Sequence, residues 1–156
     1  IGSKNSYINI FTPRYKFFNK NFDITSYAGY DDKFMKHMLQ DFKFKKNLSV
    51  IKKKIFIKKI DKINHKIDLV KIDTNGHELS IIRGLLKFIK RDKPALIVEE
   101  NYDSNKIMKL LKLFSYKGYY YSIKKKKFEV KKNKDSLNRY YLQKKHLKFT
   151  QNNNRY

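Results

Sequence analysis

Two short apolar runs in this chain end in carboxylates, and the residues around those ends are the ones able to do chemistry. Ile67-Asp68-Leu69-Val70-Lys71-Ile72 closes on Asp73 and is followed by Thr74-Asn75-Gly76-His77-Glu78. Ala95-Leu96-Ile97-Val98 closes on Glu99-Glu100. The loop from Asp73 to Glu78 gathers two carboxylates, an amide and an imidazole, groups that exchange protons with a polar ligand or hydrogen-bond to it. The other histidines, His37, His65 and His146, have no metal-binding spacing, and no H-E-x-x-H segment occurs, so no metal site is expected. Without cysteine there is no disulfide framework, no thiolate nucleophile and no Cys-ligated zinc.

Residues 67 to 73 read as a strand entering a tight turn, with Gly76 supplying the permissive backbone. From His77 the period changes. Leu79, Ile82, Leu86 and Ile89 recur at helical spacing, broadened by Ile81, Leu85 and Phe88, and Lys90-Arg91-Asp92-Lys93 ends the helix before Pro94. The run at 95 to 98 suits a parallel strand covered on both faces. Asp103 or Ser104 can cap a second helix with the inner face Ile107, Leu110, Leu111 and Phe114, and Gly118 suits its C-cap. Tyr119 to Ile123 then reads as a strand, Lys124 to Lys127 as a solvated turn, and Phe128 to Val130 and Arg139 to Gln143 as returning strands. This order predicts a right-handed parallel α/β sheet finished by an antiparallel hairpin. Ligands of such sheets collect beyond the carboxyl ends of the strands, where Asp73 and Glu99-Glu100 fall.

The first 64 residues are less regular. Tyr7 to Phe11 alternates like a strand that stops at Thr12-Pro13. Phe34, Met35, Met38, Leu39 and Phe42 could share one face of a short helix, and lysine-studded Val50 to Ile60 suits a strand at a sheet edge. The tail from Gln151 to Tyr156 is polar and expected to be disordered. The 156 residues, 40% hydrophobic, suffice for one domain, and a domain of this size buries roughly 70% of its unfolded surface. No apolar run approaches the ~20 residues of a membrane span, and a cytoplasmic location is expected. Lys and Arg number 38 against 14 Asp and Glu, a formal charge of +24. Such an excess points to nucleic acid or an anionic surface. The plainer source is an A+T-rich coding sequence, because the excess is lysine accompanied by Asn, Ile, Phe and Tyr, whereas phosphate forks favour arginine. The abrupt start at Ile1, with no signal-like segment after it, reads as that of a fragment.

The segment Asp68 to Glu78, with Ile82-Arg83-Gly84 after it, resembles the signature of the FkbM methyltransferase family. That signature is roughly D-L-[IV]-K-I-D-x-E-G-x-E, then Leu or Ile, a basic residue and Gly. Lys93 to Glu100 resembles the family's next strand, which also ends in Glu. Ile57-Lys58-Lys59-Ile60-Asp61-Lys62-Ile63 looks like its preceding T-L-D-x-L segment, and Ile1-Gly2-Ser3-Lys4 resembles the residues after its third strand. The resemblance spans about residues 1 to 145 and is specific between 67 and 100. It implies the C-terminal part of a Rossmann-like class I methyltransferase sheet over residues 1 to 148. Within it, 1 to 64 form variable strands and loops and 65 to 145 the core, with a polar tail from 149 to 156. Asn75 stands where the family usually has Glu. The family's glycine-rich loop and the acidic residue after its second strand are missing, so the cofactor-binding residues are unassigned, and this chain alone is expected to bind S-adenosylmethionine poorly and to be inactive.

The activity implied is transfer of a methyl group from S-adenosylmethionine, in the full-length domain, to a hydroxyl of a sugar or secondary metabolite. The acceptor oxygen attacks in line, and a base takes its proton. The resemblance makes Asp73 the residue that shapes the pocket and His77 and Glu78 possible bases or hydrogen-bond partners, with Asn75, Glu99 and Glu100 lining the substrate side. Plainer roles exist: Asp73 as a helix cap, Glu78 as a first-turn carboxylate favoured by the helix dipole, His77 as a solvated imidazole. The alternatives for the whole chain are a basic protein holding RNA or an anionic surface through Lys, Tyr and Phe, and an inactive remnant of the methyltransferase fold. Lacking a first-strand neighbour, the strand at 67 to 73 is expected to leave an open apolar edge prone to pairing with another chain.

Overall fold

Alternation of side chains in the N-terminal region produces a three-stranded antiparallel sheet in the computed structural model, which describes residues 4–25, 28–29, 35, 40, 45–60, 62–132 and 136–152. Its strands are β1 (Ser6–Phe17), β2 (Lys20–Asp23) and β3 (Leu48–Ile57), in the order β2-β1-β3. β1 does not stop at Thr12-Pro13 but runs through both residues, which are buried. The Pro13 carbonyl accepts from the Ile24 N–H at 2.8 Å, on the β2 side of the strand. Nitrogen and carbonyl of one residue face the same neighbour in an antiparallel ladder, so the missing N–H points past the end of β2 and takes nothing from the pairing with β3. β3 is an edge strand with Lys52, Lys53 and Lys54 exposed, the placement its lysines suit. Met35 is helical and buried, while Phe34, Met38, Leu39 and Phe42 lie outside the described residues.

The second sheet carries the acidic tips. Its elements are β4 (Leu69–Ile72), α1 (Glu78–Asp92), β5 (Ala95–Glu99), α2 (Ser104–Lys112), β6 (Lys117–Ser122), β7 (Lys127–Glu129), β8 (Asn138–Leu142) and α3 (Lys144–Asn152). The strand order is β4-β5-β8-β6-β7. β4 and β5 pair in parallel, and β8 is antiparallel to both β5 and β6. β4, β5 and β6 therefore run the same way, yet only β4 and β5 pair directly as parallel strands. A parallel sheet simply finished by a hairpin is corrected on this point: β6 and β7 form the hairpin, and β8 comes back to separate β5 from β6.

The helical stripe packs as its spacing requires. Ile82, Phe88 and Ile89 of α1 are buried together with Leu96 and Val98 of β5, Ile107 and Leu111 of α2, and Tyr141 of β8. Only one face of β5 is fully covered, since Ala95, Ile97 and Glu99 are half-buried. α1 ends at Lys93, which adopts a left-handed φ of 51°. Asp92 at that end accepts the Ile67 N–H at 3.1 Å, fixing the approach to β4. Asp103 is the N-cap residue of α2, but its carboxylate pairs with Lys106 at 2.7 Å instead of capping. Gly118 is not a helix cap. It lies in β6, where an added Cβ would sit 3.0 Å from Met108 Sδ and 3.2 Å from Arg139 Cδ, so the close approach of α2 and β8 demands glycine. The tail expected to be disordered is helical as far as Asn152, and residues 153–156 lie outside the described residues. Among the described residues β4 pairs only with β5, and Leu69 on it is exposed, so that edge is open.

Candidate functional site

The register of the parallel pair sets the site. Leu69↔Ala95 through Ile72↔Val98 are aligned, so the next residue on each strand, Asp73 and Glu99, emerges at the same end of the sheet. Asp73 is half-exposed and pairs with Lys71 Nζ at 3.0 Å. It does not cap α1, whose N-cap residue is His77. Beyond Asp73 the chain turns through Asn75 (φ 50°) and Gly76 (φ 104°). The second value belongs to glycine, and asparagine is among the few residues that tolerate the first.

Glu78 closes this turn from inside. Its side chain is fully buried at the start of α1, and its carboxylate accepts the Thr74 N–H at 2.9 Å, the Thr74 hydroxyl at 3.0 Å and the Gly76 N–H at 3.0 Å. Asn101 Nδ2 also donates to it, from the loop that follows β5. Four donors occupy the lone pairs of one carboxylate, so Glu78 ties the two acidic tips together and has no open position for a substrate proton. Glu99 receives the Asn75 backbone N–H, and burial, with the charges of Asp73 and Glu78 nearby, raises its pKa. The side-chain amide of Asn75 donates to the Ala28 carbonyl at 2.8 Å, linking the turn to the N-terminal sheet region.

His77 is buried, not solvated, and burial lowers its pKa. Glu100 points away from its neighbour Glu99. It pairs with Arg139 at 2.7 Å in a largely buried contact that includes the Tyr120 hydroxyl, while Arg139 Nε donates to that hydroxyl at 2.9 Å. The structure thus brings Asp73, Asn75, His77, Glu78 and Glu99 together and sets Glu100 in a separate ion pair. Thr74 and Asn101 were missed in the sequence. An asparagine directly after a strand-ending acid pair was the available signal for Asn101, because such residues organise turns through their side chains. Indeed Asn101 Oδ1 accepts the Asp103 N–H at 2.8 Å, and the Asn101 N–H donates to Ser104 Oγ at 2.9 Å.

The FkbM methyltransferase domain matches residues 5–121. The chain belongs to the FkbM methyltransferase family. No curated protein and no solved structure matched it. The matched region of this FkbM chain holds β1 through most of β6 and the whole Asp73–Glu78 and Glu99–Asn101 cluster, whereas β8 and α3 follow it. The cluster does not fit the adenosine and methionine parts of the S-adenosylmethionine that the family implies. The Thr74 and Gly76 N–H groups are taken by Glu78, that of Asn75 by Glu99, and the Asn75 amide by Ala28. No glycine-rich loop follows any strand of the sequence. What remains open at the rim is acidic. Among the described residues no group of three or more His, Cys, Asp or Glu side chains could hold a metal ion, and no helix is long and apolar enough to cross a membrane.

Proposed function

We propose that this FkbM domain serves an S-adenosylmethionine-dependent O-methyltransferase acting on a sugar or secondary-metabolite hydroxyl, with the Asp73–Glu99 rim on the acceptor side. The single observation carrying the reading is the in-register parallel pair that sets the two carboxylates side by side beyond β4 and β5. Three co-directional strands joined by α1 and α2, with an antiparallel strand inserted near the end, support a Rossmann-like assignment of the sheet. The two carboxylates have different surroundings. Glu99, whose pKa burial raises, serves as a hydrogen-bond partner of the acceptor. Asp73, exposed and charge-paired with Lys71, is the one to receive the hydroxyl proton as the oxygen becomes the nucleophile. Glu78 positions both tips. His77 packs behind the turn, and Asn75 sets its path.

The test, made on the protein as the cell makes it, is transfer of labelled methyl groups to a panel of sugar and metabolite hydroxyls, comparing wild type with Asp73→Asn. Loss of transfer in a normally folded Asp73→Asn protein supports the assignment, and unchanged kcat and KM overturn it. No transfer by wild type favours the inactive remnant. Titration of S-adenosylmethionine against the chain alone is expected to show weak or no binding.

A second reading, a basic surface for RNA, has one observation in its favour. On one face of β1 and β3, Tyr7 and Phe56 rings lie 5.1 Å apart, with Lys54 over Tyr7 at 5.0 Å and Lys52 over Phe11 at 5.9 Å. Such a face offers stacking and charge together. Single-stranded RNA binding with a steep salt slope that is lost on Tyr7→Ser supports it.

A further inference from the structure

At the end of the sheet opposite Asp73 and Glu99 lies a cleft of about 1170 Å³, somewhat larger than the roughly 300–1,000 Å³ of most small-molecule sites. It opens where Lys93 precedes β5, where Lys117 and Gly118 begin β6, and where Leu142 ends β8. The full length of β5 separates it from the acidic rim, a distance on the order of 15 Å from the rise of a strand.

Its walls divide into two chemistries. Met108, Phe114, Tyr119, Val130 and Leu142 supply apolar surface, and Lys93, Lys112, Lys117, Lys144 and Lys145 stand exposed around it. Among the described residues no carboxylate lines the cleft. Among the described residues Lys93, Lys112, Lys117 and Lys144 take part in no ion pair, and Lys145 donates only to a backbone carbonyl, that of Asp92, at 3.3 Å. In a folded protein five cations left together without acids repel one another, and an anion relieves that repulsion.

Two polar groups in the walls are already committed. The Tyr116 hydroxyl donates to the Pro94 carbonyl at 2.7 Å, and Gln143 Nε2 donates to the Phe114 carbonyl at 2.7 Å. Among the described residues, and besides the lysines, only the Ser115 and Tyr119 hydroxyls are left in the side-chain walls to read the edges of a base or the hydroxyls of a sugar. Lysines act as point charges and impose no planar geometry on the anion they meet. The combination suits a featureless apolar body with one charged end. We propose that this cleft binds a single-chain amphipathic anion, a long-chain carboxylate, with its tail against Phe114, Tyr119 and Leu142 and its head among Lys112, Lys117 and Lys144.

Calorimetric titration of the protein with laurate below its micelle concentration tests this. Saturable binding of one laurate is expected, with no binding of acetate, which lacks the tail, or of dodecanol, which lacks the charge. Lys112→Glu/Lys117→Glu is expected to weaken laurate by about tenfold or more, each tenfold being about 1.4 kcal/mol. The charge-matched pair Lys52→Glu/Lys53→Glu on β3, neither of which lines the cleft, is expected to change it by less than about twofold at moderate salt, where screening weakens charges that make no direct contact. Equal weakening by both pairs overturns the proposal, because binding then follows net charge alone. So does tight binding of dodecanol. Sedimentation with anionic phospholipid vesicles provides the last arm. Vesicle binding that survives the cleft variant but fails in the β3 variant, with no laurate binding, assigns the charge to a membrane surface and also overturns it. Circular dichroism of each variant establishes that it is folded.

Discussion

Replacing Glu78 with alanine removes the acceptor shared by the two acidic tips, and the structure allows the cost to be estimated. The Thr74 and Gly76 N–H groups and the Asn101 amide lose their partner, the buried Gly76 bond and the two part-buried ones alike. The Thr74 hydroxyl can rotate elsewhere. A buried donor left without an acceptor costs about 1–3 kcal/mol, so three give about 3–6 kcal/mol once partial relaxation is allowed. That is about half of the 5–15 kcal/mol stability of an ordinary domain. Glu78→Gln keeps the volume and one oxygen but turns an NH2 group toward donors, and an intermediate loss of about 1–3 kcal/mol is expected. Urea unfolding followed by far-UV circular dichroism measures both, and amide exchange at Thr74 and Gly76 reports whether the turn itself loosens. A Glu78→Ala protein within about 1 kcal/mol of wild type, with unchanged exchange at those two amides, would falsify the claim that this carboxylate holds the rim together.

Glu99→Gln is expected to stabilise the protein at pH 7. A carboxyl whose folded pKa is raised favours the fold below its unfolded pKa and loses that advantage as pH rises through the folded value, so the gain from Gln should vanish toward pH 4; urea midpoints at the two pH values check this. His146 Nδ1 accepts the Gln143 N–H at 2.9 Å and Nε2 lies 3.1 Å from the Lys93 carbonyl, which requires a neutral ring with its proton on Nε2. Burial and Lys145 lower its pKa, so its contribution is present above the ordinary value of 6.5 and is lost as pH falls through the lowered one. The loss on acidification should be about 0.5–2 kcal/mol, the worth of a helix cap, and His146→Gln, which can still accept that N–H, should flatten it in thermal melts at pH 7 and 5. Gly118→Ala should cost about 1–3 kcal/mol through contact with Met108 and Arg139. In a denaturant double-mutant cycle, adding Met108→Ala should cost less than the sum of the separate changes, and strict additivity would argue that the two sites are not in contact.

The β4–α1–β5 unit was legible because its signals are local. The change from a strand-like run to helical spacing at His77, the left-handed turn at Gly76 and the αL end of α1 before Pro94 depend on neighbours a few residues away. The shared end of Asp73 and Glu99 followed from parallel pairing. What stayed hidden depends on partners distant in the chain. Glu78 looks like any first-turn carboxylate until Asn101, 23 residues on, closes over it. His77 looks like a surface residue at a loop–helix junction, yet the fold buries it. Gly118 follows a helical stripe and so suits a cap, but α2 has already ended at Lys112, and the glycine answers to Met108 and Arg139 instead. Pro13 suggests a strand end because its missing N–H is visible in sequence, whereas the side it faces is not. The same holds for Glu99 and Glu100, adjacent in the chain yet committed to different partners.

The placement of β8 bears on how this molecule comes off the ribosome. Until residues 138–142 emerge, β5 and β6 each present a bare flank, and among the described residues the crevice-bearing pair has no strand on either side. Among the described strands the keystone is therefore the last one made, and synthesis must run past it before the sheet can lock. A product cut at residue 121, where the family match ends, would keep every acidic side chain of the rim and still lack the piece that joins its two halves.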